Sequence, residues 1–195
     1  MTQEQFDFLF DKAKELMGRT QDKVHDWSHI ERTIKNAFRI KRLLDKDLQE
    51  QINDKVLTIA ITWHDISFVF YKQNPSQFFQ ESKRSTKIAR KYFNQAKLSI
   101  EEIEIILSVI LHHPVYYPFI RSDFLNRDKS IYHQIVQDAD MIDFFSDERM
   151  KVAKESTKDS WRWWLAYYIL KPFFYKSRMK KKYIFFNLEE SLKIL

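Results

Sequence analysis

Apolar residues recur every three to four positions along almost the whole chain, which is the period of an amphipathic helix. From Thr2 to Met17, the residues Phe6, Leu9, Phe10, Ala13 and Leu16 fall on one stripe. Gly18 follows, where a left-handed C-terminal cap would sit. A second helix is predicted from a capping box, Ser28 with Glu31, to about Leu44, burying Ile30, Ile34, Ala37 and Phe38. The third, roughly Ile52 to Asp65, is apolar on most sides and belongs in the centre of a bundle. Asn74-Pro75-Ser76 separates it from a fourth, about Gln77 to Phe93. Ser99 and Glu102 make another capping box and open a fifth helix, which Pro114 stops just after His113. A sixth runs from near Ile131 to Phe145, and from Glu148 onward the pattern stays helical. The expectation is one all-α domain over residues 1–195, a helical bundle with an aromatic and basic extension from 147 to 195.

Composition then removes whole classes of function. The 195 residues include a single glycine, where an average usage of about 7% would give roughly fourteen. A glycine-rich dinucleotide turn or a phosphate-cradling loop is therefore excluded, because both need several glycines for close backbone approach. The absence of cysteine excludes disulfide scaffolds, cysteine-ligated metals and thiol nucleophiles. No apolar run approaches the roughly twenty residues of a membrane span. The N-terminal residues carry acids where a signal peptide would be basic, so a cytoplasmic protein is expected.

The net charge of +6 is modest, and much of it lies late, in Lys171, Lys176, Arg178, Lys180, Lys181 and Lys182. Interleaved with it are Trp161, Trp163, Trp164, Tyr167, Tyr168, Phe173, Phe174 and Tyr175. Such a stretch resembles a nucleic-acid surface. Aromatic residues at helical spacing more often pack against a bundle or a partner subunit, so nucleic acid is disfavoured and a homo-oligomer stays open.

Candidate chemistry is concentrated in three places. They are His25-Asp26-Trp27-Ser28-His29, His64-Asp65 at the end of the most apolar helix, and Asp138-Ala139-Asp140 among Ile135, Val136 and Ile142. Acids and histidines in apolar surroundings are costly unless paired or bound to a metal, and neutral imidazole is the commonest metal ligand. Helical phase from Ile131, Ile135 and Ile142 puts Asp138 on the inward stripe.

His29, then His64-Asp65, then Ala139-Asp140, with gaps of 35 and 75 residues, resembles the HD superfamily of metal-dependent phosphohydrolases. The resemblance covers roughly residues 22 to 146. The run from His25 through His29 to Arg32 looks like that family's first-histidine helix. Glu81-Ser82-Lys83-Arg84-Ser85, followed by Ile88-Ala89, is similar to the segment trailing the doublet in small bacterial members.

The resemblance implies an HD-type helical bundle in which His29, His64, Asp65 and Asp140 bind one divalent ion. Two imidazoles with two carboxylates suit Mn, Fe, Co, Ni or Zn better than Mg or Ca. The implied reaction is hydrolysis of a small phosphate-containing substrate, such as a nucleotide, by metal-activated water, with Asp65 catalytic as well as ligating. Consecutive residues of a helix face different ways, so His64 and Asp65 share a metal only at their helix end. The family pattern selects Asp140 over Asp138, which is then a residue that orients a ligand, or the alternative ligand.

Further residues fill supporting roles. Glu81 shares a helical face with Ser85, Ile88 and Ala89, and so points inward as a catalytic acid that orients water or holds a basic neighbour. His113 is the candidate leaving-group acid, with His112 beside it for substrate. His25, Arg32 and Lys83 are candidates for substrate binding, Arg32 being suited to bidentate phosphate contact. His133 is read as a surface residue. The rival reading is a bundle that keeps the ligands but binds metal or senses a ligand without catalysis.

Overall fold

A computed structural model describes residues 1–71, 80–113, 130–156, 158, 168 and 186–194. In chain order the helices are α1 (Gln3–Met17), α2 (Trp27–Leu43), α3 (Lys46–Gln51) and α4 (Asp54–Trp63), then a 3-10 turn (Ile66–Val69). They continue as α5 (Glu81–Gln95), α6 (Ile100–His112), α7 (Ile131–Phe144), α8 (Asp147–Ser156) and α9 (Glu189–Leu192). No strand occurs among the described residues, and the architecture is all-α.

Local chemistry sets the helix starts. The Ser99–Glu102 capping box forms as expected, and a second one, Thr2 with Gln5, opens α1. The box expected at Ser28 and Glu31 does not form. Asp26 caps α2 instead, its Oδ1 accepting from the backbone N–H of Ser28 (3.0 Å) and His29 (3.2 Å). Glu31 accepts a bond from the Trp27 indole. A shorter carboxylate one position ahead of Trp27 reaches the same orphan donors, and it places His29 in the first turn of α2.

Gly18 is also not a left-handed cap. Its φ is −64°, and its N–H continues the helical ladder to the Lys14 carbonyl. A Cβ there would stand 3.3 Å from that oxygen. The positive φ among the described non-glycine residues falls at Lys97, at 56°.

The helix expected over Ile52 to Asp65 is shorter. Asn53 caps α4 by accepting from Lys55 and Val56, which leaves Ile52 outside, and α3 precedes it as a short helix the pattern did not signal. Every residue of α4 from Val56 to Trp63 is buried, so it runs through the middle of the bundle. Trp63 is fully buried, donates to the Leu9 carbonyl at 3.2 Å and meets Phe93 edge-on at 5.5 Å. Fully burying side chains such as Leu57, Ile59 and Ile61 is worth about 1.5–3 kcal/mol each. That gain offsets the cost of carrying two polar residues, His64 and Asp65, into the interior at the end of the same helix.

Helix α2 packs chiefly against α7, α5 against α6, and α9 lies on α2 and α7. The main core gathers Ile30, Leu57, Ile61, Ile106, Ile110 and Ile135, while Met141 and Phe145 begin a smaller cluster with Phe186. No helix among the described residues is long and apolar enough to cross a membrane. The Asn74-Pro75-Ser76 turn and the late lysines lie outside the described residues. So do the tail aromatics except Tyr168, which is exposed.

Candidate metal centre

The end of α4 meets the start of α2, the end of α6 and the middle of α7 around three buried histidines. His64 donates its Nδ1–H to the Ile61 carbonyl at 2.6 Å, and His113 donates to the Ile110 carbonyl at 2.7 Å. His29 donates to Asp143 Oδ2 at 2.7 Å. With each Nδ1 occupied, Nε2 is the nitrogen that each ring offers inward.

These atoms converge with two carboxylates. His29 Nε2 and His64 Nε2 stand 3.3 Å apart. Asp65 Oδ2 lies 3.4 Å from the first and 3.2 Å from the second, and Asp65 Oδ1 lies 3.6 Å from His113 Nε2. Asp140 Oδ1 is 3.4 Å from His29 Nε2. Two imidazole lone pairs at that separation repel unless a proton or a cation sits between them, and the carboxylates favour either.

Two overlapping groups, His29–His64–Asp140 and His64–Asp65–His113, have ligand atoms all within 4.8 Å of one another. These buried His/Asp groups could hold a metal ion. The doublet shares the site because His64 and Asp65 follow the last residue of α4, where the chain leaves the helix.

Charge in the cluster is balanced across it. Burial works against an ionised Asp65, but His64, with help from His113 and His29, holds its carboxyl well below the usual range. Burial likewise opposes a charged His64, yet Asp65 and then Asp140 push it up to about 9. Glu81, at the buried start of α5, is 3.9 Å from His113 Nε2. Burial, and then the negative charges of Asp65 and Asp140, raise it well above an ordinary glutamate.

Asp143 is the residue that sequence reasoning missed. Its carboxylate is buried, and besides His29 it accepts from Arg32 Nε, from Arg32 Nη2 at 3.3 Å and from Arg149 Nη1 at 3.1 Å. Burial opposes its charge, but the bonds from His29 and Arg32 prevail and hold it far below the usual carboxylate range. One signal was available: Asp143 lies three residues beyond Asp140 in an apolar stretch, hence on nearly the same face. Arg32 is accordingly turned to Asp143 and Ser28 Oγ, not presented to a phosphate as expected, because a buried carboxylate needs a counter-charge.

Asp138 and Asp140 are separated by the helix itself. Two residues are about 200° of rotation, so they leave α7 on opposite sides. Asp138 is fully buried, as its phase predicted, but it faces the C-terminal segment and bonds Asn187, Leu188 and Ser191. It neither reaches nor orients a ligand of the cluster directly. Asp140, whose side chain is 24% exposed, is the one aimed at His29.

The remaining candidates lie around the centre. His25 donates to Asp22 Oδ2 at 2.7 Å and stacks on Phe68 with ring centroids 4.0 Å apart, its own ring 6.2 Å from that of His29. Lys83 is exposed on the first turn of α5, outside the buried cluster. His112 is exposed, bonded through Nδ1 to the Ser108 carbonyl at 2.9 Å, and also stays outside it. His133 is half-buried between the Ser108 and Ser130 hydroxyls, not a free surface residue. No protein-family model, curated protein or solved structure matches the chain.

Proposed function

We propose that this chain is a metal-dependent phosphohydrolase of the HD type, acting on a small phosphate ester or nucleotide. One observation carries the reading. His29, His64, Asp65 and Asp140, the residues on which the HD resemblance rests, converge from three helices with both imidazole Nε2 atoms directed into the same buried space. The donor set fits one divalent ion of Mn, Fe, Co, Ni or Zn, with those four residues holding it. When bound, such an ion supplies Lewis-acid polarisation of a phosphoryl oxygen and acidifies water.

The chain's own residues supply the rest. Asp143 fixes the ring of His29 and the tautomer that leaves Nε2 available. Glu81, whose carboxyl is pushed toward the protonated form, holds a proton at the edge of the cluster that can pass to a leaving oxygen. His113 Nε2, between Glu81 and Asp65, can accept and return it.

The test is turnover of a panel of nucleotides and simple phosphate esters by the full chain loaded with manganese or cobalt. Hydrolysis should stop on chelation and in His64→Ala and Asp65→Ala. Stoichiometric metal with no turnover on any compound would replace the enzyme with a metal-binding or ligand-sensing protein. Metal affinity carries its own signature. His64 must shed its proton to ligate, so affinity should rise about tenfold per pH unit until pH approaches 9, then level off. A flat profile between pH 7 and 8 in a competition titration would show that the carboxylates do not hold a proton on His64 into that range.

A further inference from the structure

The C-terminal segment is fastened to the wall of the metal centre by a buried polar network. Asp138 Oδ1 accepts from the Asn187 backbone N–H at 2.8 Å and from Asn187 Nδ2 at 2.7 Å. Asp138 Oδ2 accepts from Leu188 N–H at 2.9 Å and from the Ser191 hydroxyl at 2.7 Å. Asn187 Nδ2 also reaches Gln137 Oε1 at 3.1 Å, and Gln137 Nε2 in turn donates to the carbonyl of His112. Asn187 thus touches α7 alone, at Gln137 and Asp138, and Gln137 carries the link on to α6. Its contact on α7 lies two residues before Asp140, and the Gln137 bond meets the end of α6 one residue before His113.

Apolar contacts also hold the segment against the bundle. Phe186 packs with Met141 and Phe145, and Leu188 and Ile194 pack on the main core. A buried carboxylate adds cost to such a contact unless its bonds are made, and it is then satisfied by one geometry only. What the network adds over packing is register: the position of α7 along its axis against the end of α6.

We propose that Asn187, Leu188 and Ser191 form a positioning clamp for the metal centre. Asn187 and Ser191 hold α7 through Asp138, Asn187 also orients the Gln137 amide that bonds the end of α6, and together they set where Asp140 and His113 present their ligand atoms. They are positioning residues, acting through Asp138 and Gln137 without touching metal or substrate. The metal readout below rests on the proposed metal site, while the exchange readout does not.

The experiment uses the full chain and its Asn187→Ala, Ser191→Ala and Ser191→Thr variants, with Glu189→Ala, an exposed position of the same segment, as control. Cobalt(II) affinity and its visible absorption are measured, and amide hydrogen exchange is followed in the metal-free proteins. Asn187→Ala should weaken cobalt binding by about 10–100-fold and alter the absorption band. It should also speed exchange at least about tenfold over residues 137–143 and at 111–113. Ser191→Ala should move both in the same direction by less, Ser191→Thr should restore them, and Glu189→Ala should match the parent.

Parental cobalt affinity, spectrum and exchange in Asn187→Ala and Ser191→Ala would overturn the clamp, and so would a lowered unfolding midpoint with an unchanged spectrum. If the parent itself binds no cobalt, the metal reading fails and exchange alone decides. Faster exchange at both stretches in Asn187→Ala then supports the clamp, and unchanged exchange overturns it.

Discussion

Two aspartates of α7, both buried and five residues apart, meet the cost of burial in opposite ways. Asp143 sits among cationic and imidazole donors, His29, Arg32 and Arg149, and stays ionised far below the usual range. Asp138 sits among neutral donors only, from Asn187, Leu188 and Ser191. Burial outweighs those bonds and pushes it up to about 6. A carboxylate with counter-charges can orient a metal ligand, because it remains an acceptor at every physiological pH. One with neutral partners serves to join segments, and its charge is conditional.

The largest expected effect comes from removing the charge of Asp143. Asp143→Asn leaves Arg32 and Arg149 facing a neutral group and no longer enforces the His29 tautomer. It should cost about 3–5 kcal/mol in chemical denaturation and about 10–100-fold in metal affinity. Parental values in both measurements would break the contrast between the two sites.

Next is the pH dependence of Asp138 in metal-free protein. Its folded value is raised above the ordinary aspartate value of 3.8, so its contribution is fully present below that pH and lost as pH rises through about 6. Compared with Asp138→Asn, the parent should lose on the order of 2–3 kcal/mol between pH 4 and 7. For Asp143 the sign is reversed: its contribution is present above 3.8 and lost only as pH falls. Parallel denaturation curves for parent and Asp138→Asn over that range would show that Asp138 carries its charge as Asp143 does.

A smaller effect is expected for Arg149→Met, which takes one bond from Asp143 and leaves Arg32 and His29. The loss should be about 1.5–3 kcal/mol, with acid unfolding beginning at a higher pH than in the parent. Lys83→Ala, exposed and bonded to neither aspartate, should change stability by less than about 0.5 kcal/mol.

The residues that came together at the centre were those that a local sequence pattern could mark. His29, His64-Asp65 and Asp140 stand in recognisable runs, and Glu81 followed from the face it shares with Ala89. Arg149, Asn187 and Ser191 were not legible, because what defines each is a partner elsewhere in the chain, and Asp143 offered only its spacing from Asp140. The Asp143–His29 bond crosses 114 residues, and the Asp138–Ser191 bond crosses 53. Arg32 illustrates the same limit, since its type fits a phosphate, but its partner is Asp143.

The sequence by itself determined the helical class and most helix ends, since the 3.6-residue period and caps such as Ser99 with Glu102 are properties of a few consecutive residues. It also determined that α4 would be central and would deliver His64-Asp65 at its end. Only the tertiary structure decided which aspartate of α7 faces the histidines. Phase places both side chains around one axis and made Asp138 buried, correctly, but it cannot say what waits on either side. The start of α2 stands on one flank and the C-terminal segment on the other. The chemistry of each carboxylate is set by that neighbour.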